Sequence, residues 1–420
     1  MTAWVLPNAE GWAIEARILR WLTLAWVVIG LLVMFSASYP EAQADGDGFS
    51  LLKRQLLWVL FGLLGLNVMT SAPLRSWVKA SQVTLFLLLG AIVATLFLGI
   101  EVNGASRWLG AGPIRFQPSE MIKPFLVLQG AAVFSVWPRL SWPRRLLWLG
   151  VFGSVIVTIL LQPNLSTAAL CGMLLWVMAL AAGLPYLQLI SAALGGITLA
   201  AVSVGMNPYQ LKRVLSFLNP WADGQEHGYQ LIQSIYAVSL GEVAGSGYGL
   251  SHQKLFYLPF QHTDFIFSVF AEEFGLIGTI LFLLFLLFYA SLGLFVALKA
   301  TEPVSKLAAI GAIILLVGQS MINIGVAIGV LPTTGLPLPF FSYGGNSMLA
   351  CLLTAGILIR VARENREAAV IPLATQNTRR RKRQQLARRT RLARQRSATA
   401  AGQAAEQPLA RSAPVLLRDY

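Results

Sequence analysis

Between residues 258 and 275 the sequence reads LPFQHTDFIFSVFAEEFG. A polar stretch ends at His262, Thr263 and Asp264, and an apolar run begins that continues through Val296, Glu272 and Glu273 excepted. A carboxylate at the mouth of so long an apolar run is costly unless it has a task, so Asp264 is the first candidate functional residue. Lys254 and His262 lie close before it, which puts a base beside a cation in one short stretch.

Other residues of useful chemistry are scattered along the chain. Arg107 stands beside Trp108 in EVNGASRWLGAGPIRFQPS, residues 101–119. A guanidinium fork fits phosphate oxygens while an indole rests at headgroup level, although a snorkelling anchor pair has the same composition. In the same segment Asn103, Gly104, Gly112 and Pro113 are turn formers. Pro118 is placed to open a helix, and Glu120 and Lys123 follow at a spacing of three, on one helix face. Buried charges must pair, so these two form either a clamp between helices or the floor of a polar cavity opening outward; the cavity is the reading adopted. Arg213, in a mixed basic and apolar segment over 209–217, belongs to an interfacial helix and can face phosphates. A second amphipathic run over 229–240 can also lie on the membrane. Gly241, Gly245, Gly247 and Gly249 then permit a tight excursion that returns Gln253 and Lys254 over the bundle.

In LPTTGLPLPFFSYGG, residues 331–345, three prolines deny a helix, and Ser342 and Tyr343 offer hydroxyls. Irregular backbone at membrane depth is tolerated where protein buries it or a cavity adjoins it. Gln319 and Asn323, four apart, read as glue between helices. Cys171 and Cys351 fall inside apolar spans and read as small core residues, neither disulfide nor metal site.

The elements that must position these residues are membrane helices. Hydrophobic residues make up 56% of the chain and charged residues 12%, and the mean hydropathy is +0.65. Repeated apolar runs of about 20 residues match the length that crosses hydrocarbon as a helix and exclude a barrel. The fold expected is an all-α polytopic bundle of ten spans: 17–37, 55–71, 81–100, 119–137, 145–161, 165–183, 187–206, 264–298, 306–331 and 342–362. The eighth is long enough to be tilted or broken. The first is too long for a signal peptide and lacks a small-residue cleavage site, so it is expected to be retained.

Lys and Arg mark the cytoplasmic side. Arg17 and Arg20, Arg75 and Lys79, Arg139 with Arg144 and Arg145, Lys299 and Lys306, and Arg360 with Arg363 all fall on one side of these spans. Both termini are therefore expected in the cytoplasm. The loops 38–54, 101–118, 162–164, 207–263 and 332–341 face outward, where all the candidate residues of the loops gather. The organisation expected is a short cytoplasmic segment (1–16), a transmembrane domain (17–362) with a long outer loop (207–263), and a basic tail (363–420).

Residues 360–420 carry +11 of the net charge of +14, and ten of the eighteen residues from 379 to 396 are Lys or Arg. With little apolar surface to bury, the tail is expected to be disordered or adsorbed to anionic lipid; no folded reader accompanies the charge, which argues against nucleic acid.

NGASRW with FQPSEMIK, QKLFYLP with HTDFIF and AEEFG, and LPTTGLPLPFFSYGG together resemble the SEDS family of bacterial cell-wall polymerases, of the FtsW and RodA type. The resemblance covers the chain to about Arg360, and QKLFYLP is closer to the FtsW branch. It implies a peptidoglycan glycosyltransferase in the bacterial inner membrane that polymerises lipid II, the undecaprenyl-diphosphate-linked disaccharide-pentapeptide, during division. It also implies a class B penicillin-binding transpeptidase partner among the divisome or elongasome proteins. Asp264 corresponds to the family's essential acidic residue, and Glu120 and Lys123 to its paired charges beside a central cavity. Physical reading and resemblance agree on Asp264 as the base that takes the acceptor hydroxyl's proton. Arg107, Lys123, Arg213 and Lys254 are candidates to hold the diphosphates. A divalent cation, magnesium or manganese, is suggested by the resemblance alone, for the sequence shows no sufficient ligand cluster. This chain departs from the family at Phe260, where a Glu is usual, and at Asn164 and Ser166 in the third outer connection. Two other classes of function fit buried polar residues: a flippase for the same lipid, and a non-catalytic scaffold that recruits a transpeptidase.

Overall fold

The computed structural model describes residues 12–102, 105–111, 114–226 and 228–366. The expected basic tail, most of the N-terminal segment and the turn formers Asn103, Gly104, Gly112 and Pro113 lie outside the described residues.

The chain runs through α1 (Ile14–Ala44), α2 (Ser50–Ser71) and α3 (Leu74–Leu98), then strands β1 (Ile100–Val102), β2 (Ala105–Ala111) and β3 (Ile114–Phe116). There follow α4 (Pro118–Ser135), α5 (Trp142–Leu161), α6 (Leu165–Ala181), α7 (Tyr186–Met206), α8 (Pro208–Leu218) and α9 (Tyr229–Leu240). The long α10 (Ile266–Lys299), α11 (Pro303–Ile313), α12 (Gln319–Ala327) and α13 (Gly345–Arg366) complete the described part. Eight of these segments, counting 303–327 as one, are long and apolar enough to cross a membrane. The other two expected spans are also helical: α6, shorter but apolar, and α4, almost wholly buried. The protein is thus an all-α multi-pass membrane protein.

The centre of the bundle is α4, which packs along α3, α6 and α11. Outer members keep apolar faces for lipid; α7 buries only Leu189 along its length. Trp26 of α1, fully buried, is surrounded edge-to-face by Phe282, Phe285, Tyr289 and Phe340, with ring centroids 5.0–6.2 Å apart. Such a contact is worth about 0.5–1.5 kcal/mol beyond its burial. Phe340 and its neighbour Phe341 thereby root the Pro-rich loop 331–345 in the core. The entry requires a glycine opposite: a Cβ on Gly30 of α1 would stand 2.1 Å from the Phe340 carbonyl oxygen.

Several elements differ from expectation. The segment 100–116 is a small antiparallel meander, β1 on β2 and β2 on β3, rather than an irregular loop. The eighth span is broken, as its length allowed: Gly275 has φ 63° and ψ −162°, a conformation that suits a residue without Cβ. The span 303–327 contains a wide π turn over Ile314–Gly318 just before Gln319. The second amphipathic run, α9, is docked on the bundle through a face that buries Leu231, Ile232, Ser234 and Ala237. Its Ser234 hydroxyl donates to the carbonyl of Ala327 at 2.7 Å and lies 2.6 Å from the Ser268 hydroxyl of α10. A helix whose buried face carries a hydroxyl gains from protein acceptors that lipid cannot offer.

Candidate active site

Asp264 sits two residues before α10, partly buried, in a turn fastened from three sides. Asn323 of α12 donates from Nδ2 to the backbone carbonyls of both Asp264 and Leu336, each at 2.9 Å. Ser342 donates from Oγ to the carbonyl of Thr263 at 2.6 Å and accepts from the Leu338 amide at 2.8 Å. The amide of Tyr343 donates to the carbonyl of His262 at 2.9 Å. The Pro-rich loop, unable to make helical bonds of its own, gives the Ser342 hydroxyl and the Tyr343 amide to the HTD turn. Its Gly335 lies against the carboxylate, where an added Cβ would be 3.6 Å from Asp264 Oδ2.

The electrostatics suit a base. Burial pushes the Asp264 carboxyl up from 3.8 to about 6, against the opposing charges of Arg213, His262 and Arg107. Such a group is ionised at neutral pH yet has more proton affinity than an ordinary carboxylate, the poise of a general base. His262 is held from the other side, with Nδ1 3.1 Å from Glu41 Oε2 of α1. Arg213, on α8, stacks over Tyr209 at 5.1 Å. Arg107, on β2, donates from Nε to the carbonyl of Gln162 at 3.0 Å and from Nη2 to that of Pro163. Burial, then the neighbouring Arg213, lowers its proton affinity, while the Asp264 charge acts the other way. Three separate parts of the chain thus bring one carboxylate and two guanidiniums into a common field, and Arg107 also braces the tight connection at Gln162 and Pro163.

The remaining candidates are placed differently. Glu120 and Lys123 pair at 2.7 Å, almost wholly buried, and Lys123 also donates to Gln319 Oε1 at 3.2 Å. Gln319 in turn donates to the Pro337 carbonyl at 2.7 Å. The cavity beside Lys123, lined also by Gln319, Cys351 and Thr354, has a volume of about 10 Å³. That is room for one water, not a sugar, and the pair itself bridges α4 to Gln319 of α12. Lys254 does not reach the Asp264 turn with its ammonium, which is buried 2.7 Å from Glu273 Oε1. The Ser342 hydroxyl is taken up by the two bonds above.

Among the described residues no three His, Cys, Asp or Glu side chains converge as a metal site.

Sequence reasoning placed Gln319 and Asn323 between helices but missed that both bind carbonyls of the Pro-rich loop. Their signal was available: two amides one turn apart just before a segment whose prolines leave carbonyls unpaired. It also missed Gln55 of α2, which donates to the Ser342 carbonyl at 3.4 Å and accepts from the Gly344 amide at 3.2 Å.

A family model described as a cell cycle protein, covering FtsW, RodA and SpoVE, matches residues 16–367. The chain belongs to the FtsW/RodA/SpoVE family. A relative from Synechocystis sp., a probable peptidoglycan glycosyltransferase FtsW, is 54% identical over 371 residues, 88% of this chain and 94% of the relative. The fold resembles a chain of a peptidoglycan synthase complex studied for the coordination of polymerization and crosslinking. That match has a TM-score of 0.69 and 30% identity, covering 83% of this chain and 97% of the other. The crystal structure of the rod shape determining protein RodA from Thermus thermophilus matches with a TM-score of 0.62 and 28% identity, over 83% of this chain and 96% of RodA.

Proposed function

We propose that this chain is a peptidoglycan glycosyltransferase of bacterial cell division that polymerises lipid II with Asp264 as general base. The observation that carries the reading is the Asp264 carboxylate, fixed by Asn323 and Ser342 through its backbone turn and raised to about 6 beside two guanidiniums. The acceptor sugar hydroxyl gives its proton to Asp264 as its oxygen attacks the anomeric carbon of the donor. The bond from that carbon to the diphosphate breaks and its electron pair leaves on the diphosphate. The proton then passes from Asp264 to water. Arg213 and Arg107 supply positive charge where the leaving group gains negative charge. We assign Glu120, Lys123, Lys254 and Ser342 to holding the loops, because their polar groups are engaged within the protein.

In this reading the chain sits in the bacterial inner membrane with both termini in the cytoplasm and the site on the outer face. The likeness to a synthase complex that couples polymerization with crosslinking supports a class B transpeptidase as partner. The basic tail binds anionic lipid. Reconstitution in vesicles with lipid-linked disaccharide-pentapeptide, with and without such a partner, tests the function. Glycan strands support it. Movement of the lipid across the bilayer without polymer, or neither product, would replace it with a flippase or a scaffold.

A further inference from the structure

Two adjacent carboxylates of α10, Glu272 and Glu273, lie fully buried eight and nine residues past Asp264 and take no part in the chemistry above. Glu273 Oε1 accepts from Lys254 Nζ at 2.7 Å and from the Ser36 hydroxyl of α1 at 2.6 Å. Lys254 Nζ also donates to Ser36 Oγ at 2.8 Å, closing a triangle. Glu272 accepts from the Ser251 hydroxyl, from the His252 amide at 2.7 Å and from the Gln253 amide at 3.3 Å. The segment 251–254 is thus clamped by backbone and side chain onto the helix that starts just after Asp264. Residues 254–273 form a loop closed at its base, with Asp264 near its middle.

Within that loop the chain holds its shape under strain. Phe256 and Phe260 have φ of 66° and 57°, left-handed values that cost a bulky side chain energy, and their rings remain exposed. Such residues persist only where the surroundings over-determine them. The Phe260 carbonyl accepts the amides of Thr263 at 3.1 Å and Phe265 at 3.3 Å, so the strained turn is the one that carries Asp264.

We propose that Lys254 and Glu273 are positioning residues for Asp264: their buried pair closes the base of the loop and keeps the strained Phe260 turn from relaxing, without touching substrate. The proposal rests on the reading of Asp264 as the base. A Lys254 that held phosphate would need a free ammonium, whereas this one is 5% exposed and gives two of its three protons to Glu273 and Ser36.

The test uses the full chain reconstituted with its partner and lipid-linked substrate, in the variants Lys254→Met, Glu273→Gln, the double Lys254→Met/Glu273→Gln, and Asp264→Asn as control. Lys254→Met is expected to lower kcat about tenfold or more with KM within about twofold, because a displacement of about 1 Å is enough for such a loss. Amide exchange across 258–265 should quicken in the same variant. The double variant should regain part of the kcat, since no unpaired buried charge remains. If either single variant fails to fold, the double decides: reduced kcat, unchanged KM and faster exchange at 258–265 support the proposal, and wild-type kcat with wild-type exchange overturns it. A raised KM in Lys254→Met that the second substitution does not repair overturns it in favour of phosphate binding. Unchanged kcat per folded molecule overturns it in favour of a structural role alone. Asp264→Asn should be inactive with unchanged exchange; were it active, the base assignment would fail while the exchange data still judged the clamp.

Discussion

Replacing Asp264 by Asn should move activity and stability in opposite directions. The carboxyl rises from 3.8 to about 6 because burial penalises its charged form more than Arg213, His262 and Arg107 favour it. At about 1.4 kcal/mol for each tenfold change in proton affinity, ionising Asp264 in the folded protein costs about 3 kcal/mol, reduced by whatever solvent reaches its open side. The sign follows from the order of the two values. Below about 3.8 the group is protonated in folded and unfolded chains alike and there is no penalty. As the pH rises toward 6 the unfolded chain ionises first and the folded protein loses stability; above about 6 the whole penalty is present and constant. An amide of the same shape escapes it. Asp264→Asn should therefore unfold at a higher temperature than the wild type at pH 7.5, and by pH 4 the advantage should shrink to a small fraction of that. Thermal unfolding in detergent at both pH values measures this. A variant no more stable than wild type at pH 7.5, or equally advantaged at pH 4, would refute the claim that the site stores an electrostatic cost at its base.

Further consequences follow from the same contacts. The polymerisation rate at limiting substrate should fall as the pH drops through about 6, and Arg213→Ala should shift that limb to higher pH, since the Arg213 charge is the largest influence lowering the Asp264 value; a pH–rate profile of each protein checks both. Arg213→Ala should also raise KM for the diphosphate-linked donor about tenfold, as expected when one charge-assisted contact is lost. Lys123→Ala, which leaves Glu120 buried and unpaired, should cost about 3–5 kcal/mol of stability, whereas replacing both with apolar residues should cost much less, measured by a double-mutant unfolding cycle. Gly30→Ala should displace the Phe340 carbonyl and lower activity without touching a charged group, since the added methyl would begin 2.1 Å from that oxygen; comparing its exchange across 331–345 with wild type checks the displacement.

The helices were legible because an apolar run long enough to cross hydrocarbon leaves a signal that packing does not alter; each expected span is helical to within several residues of its expected ends. Asp264 was legible for the complementary reason, as a carboxylate where the surrounding composition forbids one. The partners of buried charges were not legible, because they come from distant parts of the chain. Glu120 with Lys123 could be paired by helix spacing. Lys254 with Glu273 could not, since the pairing depends on how a glycine-rich excursion folds back over α10 and on Ser36 from α1. The meander 100–116 was missed because strands so short leave little alternation, and only their pairing, Leu109 with Phe116 for instance, makes them strands. Arg107 was read as a phosphate holder from its type; its carbonyl partners at Gln162 and Pro163 add a bracing role that spacing does not encode.

The measurement that bears most directly on the central claim is polymerisation by purified Asp264→Asn, reconstituted with a transpeptidase partner and lipid II and compared with wild type at equal folded amounts. The account predicts glycan strands from the wild type and a loss of at least about a hundredfold in the variant, the scale on which a positioned general base contributes. Strands formed by the variant at a wild-type rate would contradict it.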